Sequence, residues 1–306
     1  MKILITGAFG YIGTELLDRL AKKNDLEIIA VDNNTSNIRR SACYILRYPN
    51  VKIVNLDISD YHSIKTLPKL DLIVHLAAVV GYNYCSLTPE LANLTNVVGT
   101  KNLALLDTPI IFVSTGSVYG EIGGVCDENV ILNPKTLYAK TKLQGEEIVK
   151  KASHTILRPA TAYGLGFLVR DELLINSFIK AAVSDKKINL YQPNAKRSFY
   201  SVSKIAELLD YTVYNFNKFE GITFNVGCES GNVSKLEICE AISEHVDFEL
   251  NIIDGQDLDA RDYNVSYQKL MKLWPNFDED LRSNISRIVD YYKATKHSQH
   301  NEGTFQ

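Results

Sequence analysis

Six short apolar runs alternate with amphipathic helical patterns through the first two-thirds of the chain, and that alternation narrows the fold more than any other feature. The runs are KILIT at 2–6, EIIAV at 27–31, VKIVNL at 51–56, DLIVHLA at 71–77, IIFVST at 110–115 and TILRP at 155–159. The segments between them, such as Tyr11–Lys23 and Glu90–Leu106, repeat with helical period. Strands apolar on both faces and separated by helices require a parallel sheet covered on both sides. The expected fold is therefore α/β, a doubly wound parallel sheet of the Rossmann type. Its ligand crevice lies at the carboxyl ends of the strands.

After Gly164 the rhythm changes. A helix is expected at about 171–184, then a short strand, a helix over 201–216 and one more sheet strand at ITFNVG (222–227). Helices near 233–245 and 278–294 flank a mixed segment. At 306 residues the chain has room for two domains or a domain with a cap. The pattern fits a dinucleotide-binding domain over 1–165, completed by about 197–227, and a smaller, mostly C-terminal α/β substrate lobe from 166–196 and 228–293. The polar end, residues 294–306, is expected to fray.

Charge and composition exclude several function classes. With 33 basic and 36 acidic residues the formal charge is −3, so neither nucleic acid nor an anionic membrane is an expected partner. The five cysteines (Cys43, Cys85, Cys126, Cys228, Cys239) are odd in number and scattered, which suits reduced thiols and a cytoplasmic location. Six histidines are dispersed without metal-ligand spacing, so no metal site is expected. The opening MKILITG is too short an apolar run for a signal peptide, and no stretch approaches the roughly 18 apolar residues of a membrane span.

The first strand runs into Thr6-Gly7-Ala8-Phe9-Gly10-Tyr11-Ile12-Gly13 and opens a helix. In that context Gly7 permits the tight turn, Gly10 lets the backbone approach a pyrophosphate, and Gly13 allows helix to pack closely on strand. The second strand ends in Val31-Asp32-Asn33-Asn34. A carboxylate there accepts hydrogen bonds from an adenosine ribose and repels a 2′-phosphate, which favours NAD over NADP. The competing reading makes Asp32 a helix cap, and Arg39 and Arg40 follow in the next segment.

Tyr138 and Lys142 stand four apart in a helical stretch, so both side chains lie on one face, roughly 5–6 Å apart at Cβ. A lysine-rich surface helix produces the same spacing, and spacing alone does not choose between them.

Taken together, the motifs resemble the extended short-chain dehydrogenase/reductase family, in its NAD-dependent nucleotide-sugar epimerase/dehydratase branch. The likeness runs from Met1 to about Lys293. Its T-G-x-x-G-x-x-G matches Thr6 to Gly13, and the family's acidic-hydrophobic pair that contacts adenine matches Asp57-Ile58. H-L-A-A, lining the cofactor, is His75-Leu76-Ala77-Ala78, and N-V-x-G-T is Asn96 to Thr100. The serine/threonine strand ending in V-Y-G is Ser114 to Gly120, Tyr-x-x-x-Lys is Tyr138 and Lys142, and R-P-x-x-x-Y-G is Arg158 to Gly164.

The resemblance implies an enzyme in which Tyr138 removes a proton from a sugar hydroxyl, Lys142 holds the nicotinamide ribose and Thr115 hydrogen-bonds the reacting oxygen. A free tyrosine titrates near 10; a nearby ammonium and a positive nicotinamide favour its phenolate. The implied cofactor contacts are Gly7, Phe9, Gly10, Tyr11, Ile12, Gly13, Asp32, Asn33, Asp57, Ile58, Leu76, Ala77, Ala78, Asn96, Tyr138, Lys142 and Pro159. The implied substrate is a nucleotide-diphosphate sugar met by Thr115, Thr161, Asn176, Arg197 and Arg261. Arg197 heads a stretch, RSFYSV, that resembles the family's R-D-[FY]-x-x-V, with Ser198 in place of the usual aspartate; a guanidinium forks onto phosphate oxygens. Dehydratases of the branch carry an Asp-Glu pair after the catalytic threonine, where this chain has Gly116 and Ser117. That leaves redox-neutral epimerisation, most often at C4, as the expected reaction. A 4-keto-sugar reductase or dehydratase of the same fold, and a non-catalytic NAD(P)-binding regulator, stand as alternatives. A homodimer through the 90–106 and 136–151 helices is the family expectation.

Overall fold

The computed structural model describes residues 1–34, 38, 44–120, 122, 124–255 and 264–299, for 297–299 the backbone alone. Its strands, in chain order, are β1 (Lys2–Thr6), β2 (Glu27–Asp32), β3 (Val51–Asn55), β4 (Leu72–His75), β5 (Ile110–Val113), β6 (Val125–Cys126) and β7 (His154–Pro159). β8 (Thr161–Tyr163), β9 (Lys187–Leu190), β10 (Lys196–Ser201), β11 (Thr223–Val226), β12 (Asn232–Ser234), β13 (Glu249–Ile252) and β14 (Asn264–Val265) follow.

Seven strands form one sheet in the order β11-β7-β5-β4-β1-β2-β3, with every neighbouring pair parallel. The chain builds outward from β1 to β3, then crosses back to lay β4 on the other side of β1. A crevice opens where the connections leave in opposite directions, above the carboxyl ends of β1 and β4. Thr6 lies opposite Val31 on one side and His75 on the other, which sets the level of the crevice floor.

Both faces of the sheet are covered. On one, Leu16, Leu17 and Leu20 of the helix Tyr11–Ala21 pack with Ile205, Leu208 and Leu209 of the helix Val202–Tyr214 over Ile3, Ile5 and Val74. On the other, Leu4, Ile29, Ile73 and Phe112 meet Leu103 and Val149. Central strands lose both faces to the core, as their uniformly apolar sequences require. β3, at the sheet edge, has exposed Lys52 and Asn55.

The helix expected over 90–106 runs unbroken from Pro89 to Ala104, but its middle is widened and a separate short helix precedes it. A helix at Tyr82–Leu87 ends at Thr88, Pro89 opens a second at Pro89–Asn93, a π-helical stretch occupies Leu94–Gly99, and Thr100–Ala104 resumes the α form. Proline at the first helical position costs no backbone bond, so a new helix starts there cheaply. Widened turns of this kind cluster at functional sites. Of the polar end expected to fray, residues 294–299 continue the helix Leu281–Gln299 and 300–306 lie outside the described residues.

Away from the sheet, β10 lies between β8 and β12, β9 pairs with β13, and β6 pairs with β14. The helices Leu174–Ser184, Lys235–Ser243 and Leu281–Gln299 share a second apolar cluster that includes Ile179, Ile238, Ile242, Ile285 and Val289.

Candidate active site

The turn after β1 shows why small residues stand there. Gly7 has φ +67°, and a Cβ on it would come within 2.7 Å of the Ala77 nitrogen. A Cβ on Gly13 would approach the Gly7 carbonyl to 2.1 Å. Gly10 precedes the helix Tyr11–Ala21 and offers no side chain to cap it. The first-turn N–H groups and the positive end of the helix dipole therefore face the crevice. This is the geometry that accepts a pyrophosphate.

Asp32 ends β2 beside that turn. Its Oδ2 accepts from the Phe9 N–H at 3.0 Å and its Oδ1 from the Asn34 N–H at 2.9 Å, so the carboxylate is aimed by backbone. Burial pushes its pKa up, and the N–H groups of Asn34, Phe9 and Asn33 pull it back. Asp32 and Asn33 both line the crevice, whereas the Phe9 ring is fully buried in the core. Asn33 reaches Asp57 at 3.1 Å, and Asp57 holds the Ser59 N–H and hydroxyl at 2.8 and 2.7 Å. Asp57 thus shapes the loop, and Ile58 lines the crevice.

Beneath the floor His75 is locked in one tautomer. Thr100 donates its single hydroxyl proton to the Asn96 carbonyl at 2.7 Å, so towards His75 Nε2, at 2.9 Å, it accepts. His75 therefore carries its proton on Nε2, and Nδ1 accepts from the Thr6 hydroxyl at 2.8 Å. Complete burial holds its pKa well below the usual imidazole range, consistent with a neutral ring. The relay fixes Leu76, Ala77 and Ala78, which line the crevice, against the glycine turn.

Asn96 does not line the crevice; it pins what does. Its amide oxygen accepts from the Val79 N–H at 2.8 Å, and its amide nitrogen donates to the Val79 carbonyl at 3.0 Å and to the Thr141 hydroxyl at 3.0 Å. Thr141 in turn donates to the Tyr138 carbonyl at 2.9 Å. The π stretch thereby holds the turn of helix that bears Tyr138.

That helix, Leu137–Val149, starts at Thr136, whose hydroxyl accepts from the Ala139 N–H at 3.1 Å. Tyr138 and Lys142 both open onto the crevice, as does Thr115 across from them. Lys142 is 2% exposed, and its ammonium sits 4.1 Å from the centre of the Phe112 ring. Burial drives its pKa down to about 7, against the pull of Glu146 one turn further on. Glu146 is itself clamped: Arg158 donates from Nε at 3.0 Å and from Nη2 at 2.7 Å, and Ser114 donates at 2.5 Å. Arg158 Nη1 also donates to Tyr119, whose hydroxyl donates to Asn225 at 2.6 Å. Thr115 caps the short turn Gly116–Tyr119, accepting from the Ser117 N–H at 3.1 Å.

The crevice measures about 1630 Å³, above the roughly 300–1,000 Å³ of a single-ligand site, so it has room for cofactor and substrate together. Gly7, Gly10, Tyr11, Ile12, Gly13, Pro159, Thr161 and Arg197 line it as well. Asn176 does not. It is fully buried, bonds the Gly164 N–H and carbonyl at 3.0 and 3.1 Å and holds the Arg170 carbonyl at 3.0 Å, so it folds a loop over the crevice. Arg261, with Arg39 and Arg40, lies outside the described residues. Motif reading missed Val80 to Tyr84, Ser177, Asn189, Tyr191 and Lys235, all of which line the crevice. The sequence of the helix start at Ser234 announced an element there without saying which side chains face inward.

A doubly wound sheet with a glycine turn, a carboxylate at the tip of the second strand and a tyrosine–lysine pair in one crevice defines a dinucleotide-dependent α/β enzyme. The model of the NAD dependent epimerase/dehydratase family matches residues 3–227. The chain belongs to that family, and its cofactor is NAD. The low-salt glycan biosynthesis protein Agl12 of Haloferax volcanii is 27% identical, with 95% of this chain and 98% of the relative covered. UDP-glucuronic acid decarboxylase 3 of Arabidopsis thaliana is 23% identical over 94% of this chain and 91% of its own. Among solved structures, the UDP-Glc/GlcNAc 4-epimerase of Campylobacter jejuni superposes with a TM-score of 0.82 at 26% identity, covering 96% of this chain and 99% of that one. UDP-glucuronic acid 4-epimerase of Bacillus cereus, in complex with UDP-glucuronic acid and NAD, shares the fold with a TM-score of 0.84 at 23% identity, covering 96% of this chain and 100% of that one. Among the described residues no helix is long and apolar enough to cross a membrane.

Proposed function

We propose that the protein is a nucleotide-sugar epimerase that inverts a sugar carbon, C4 first among them, without net oxidation. The observation that carries this reading is the wall beside Thr115. Ser114, Gly116 and Ser117 line it, and the carboxylates that line the crevice among the described residues are Asp32, at the ribose end, and Glu172, which is ion-paired with Arg170 at 2.7 Å. Elimination of water needs an acid and a base next to the reacting carbon. A wall of hydroxyls and glycine supplies neither. The epimerase names of two structural neighbours support the same choice, and their UDP-sugars make UDP the first base to test.

NAD, when bound, supplies an acceptor for the hydride and the same hydride on return. The chain does the rest. Tyr138 takes the hydroxyl proton as the C–H bond breaks and gives it back after the keto sugar has turned. Lys142 beside it favours the phenolate. Thr115 donates to the reacting oxygen and keeps it facing Tyr138. Arg197, buried on β10, holds the diphosphate while the sugar rotates, and the lobe of 166–196 and 228–293 forms the substrate side of the crevice. The working unit on this reading is a cytoplasmic homodimer.

Sugar nucleotide carrying deuterium at the oxidised carbon decides the matter. The expected product has equal mass, retains the label and appears without consumption of added cofactor. A product lighter by one water would make the protein a dehydratase. A product gaining two hydrogens, with stoichiometric loss of NAD(P)H, would make it a reductase.

A further inference from the structure

At the end of the crevice away from Asp32, Arg197 has a cationic neighbour. Lys235 is the first residue of the helix Lys235–Ser243. There the Ser234 hydroxyl accepts from the Glu237 N–H at 3.1 Å and Glu237 accepts from the Ser234 N–H at 2.6 Å. This reciprocal cap fixes the backbone direction at Lys235. β12 runs antiparallel to β10 with Val233 opposite Arg197. Lys235 follows Ser234, which pairs with Lys196, and its N–H donates to the Ala195 carbonyl at 3.3 Å, so it emerges beside the strand that carries Arg197. Lys235 is 3% exposed and Arg197 6%, yet both line the crevice. The ammonium of Lys235 donates to the Tyr191 carbonyl at 3.2 Å, which orients it at a wall that Tyr191 shares.

An ammonium and a guanidinium that open onto one end of a cleft supply donors of the kind that diphosphate oxygens accept. On the reading above the diphosphate lies at Arg197. We propose that Lys235 is a substrate-binding residue that grips the diphosphate of the sugar nucleotide together with Arg197. The proposal rests on the sugar-nucleotide reading above. Its rival is packing: a lysine buried for its aliphatic stem, with its charge irrelevant to ligand.

Lys235→Met keeps the stem and removes the charge. The probes are UDP, GDP, CDP and dTDP, each titrated calorimetrically into full-length protein, then the nucleoside of whichever binds best. The variant should bind that diphosphate about tenfold or more weakly, the loss of one charge-assisted contact. Its nucleoside and NAD should bind as before, the KM of the sugar nucleotide should rise far more than kcat falls, and Lys235→Arg should recover most of the affinity. Unchanged diphosphate affinity in Lys235→Met overturns the proposal, as does an equal loss for the nucleoside, which would place the contact on the base or ribose. A fall in NAD affinity or thermal midpoint matching the loss of diphosphate would assign Lys235 to packing. Wild-type protein that binds none of the four diphosphates would overturn the sugar-nucleotide reading itself.

Discussion

Replacing Asp32 by alanine should narrow the protein's preference for NAD(H) over NADP(H), because the carboxylate that repels a 2′-phosphate is gone. Titration of both cofactors into wild type and variant checks this, and wild-type preference for NADP(H) would contradict it. Lys142 gives a prediction about pH. Burial lowers its folded-state pKa from 10.5 to about 7. Between those values the unfolded chain holds a proton that the folded chain lacks, so stability rises with pH across that window; below it both states are protonated and the full cost of burying the charge remains. Lys142→Met should therefore exceed wild type in denaturant midpoint at pH 6, with the gap closing towards pH 10. A pH-independent gap would mean that the ammonium is not desolvated. The glycine turn, Asp32 and the Tyr138–Lys142 pair were legible because each imposes a backbone or charge requirement at fixed spacing. Asn96 and Asn176 were not legible as scaffold, because an asparagine aimed at its own backbone is spelt like one aimed at a ligand.

At the level of elements, one buried polar chain ties the helix Leu137–Val149 to two strands and to the segment after a third. Glu146 is wholly buried and Arg158 is 4% exposed, and their two-pronged bond joins helix to β7 while Ser114 adds the segment after β5 and Tyr119 passes the link to Asn225 on β11. Removing one partner of such a pair leaves a bare charge in the interior. Arg158→Met should thus cost about 3–5 kcal/mol in urea unfolding. The double variant with Glu146→Gln should recover much of that loss, and additive losses would argue against the pairing. The alternation of strands and helices was readable from periodicity alone, since central strands must be apolar on both faces. The π-helical widening at Leu94–Gly99 was not. Asn96 within it brackets Val79 with two hydrogen bonds, and local periodicity carries no record of such a contact.

For the whole molecule, a homodimer through the 90–106 and 136–151 helices would put Leu94, exposed at 46%, at the subunit contact. Leu94→Glu should convert the particle to a monomer in sedimentation or light scattering at micromolar concentration; an unchanged mass would put the interface elsewhere. The change of rhythm after Gly164 was legible, but the small sheets away from the large one were not, because two- and three-residue strands leave no periodic trace. One feature of the large sheet bears on how the protein is made. β7, ending at Pro159, lies between β5 and β11, and β11 begins only at Thr223. A ribosome that has released β7 must add the intervening stretch before the partner exists, roughly 3–13 s of translation at 5–20 residues per second. Throughout that interval the nascent sheet presents an unpaired apolar edge, the template on which strands from other chains assemble. Synthesis, more than the finished fold, is the stage at which this edge is open to pairing with other chains.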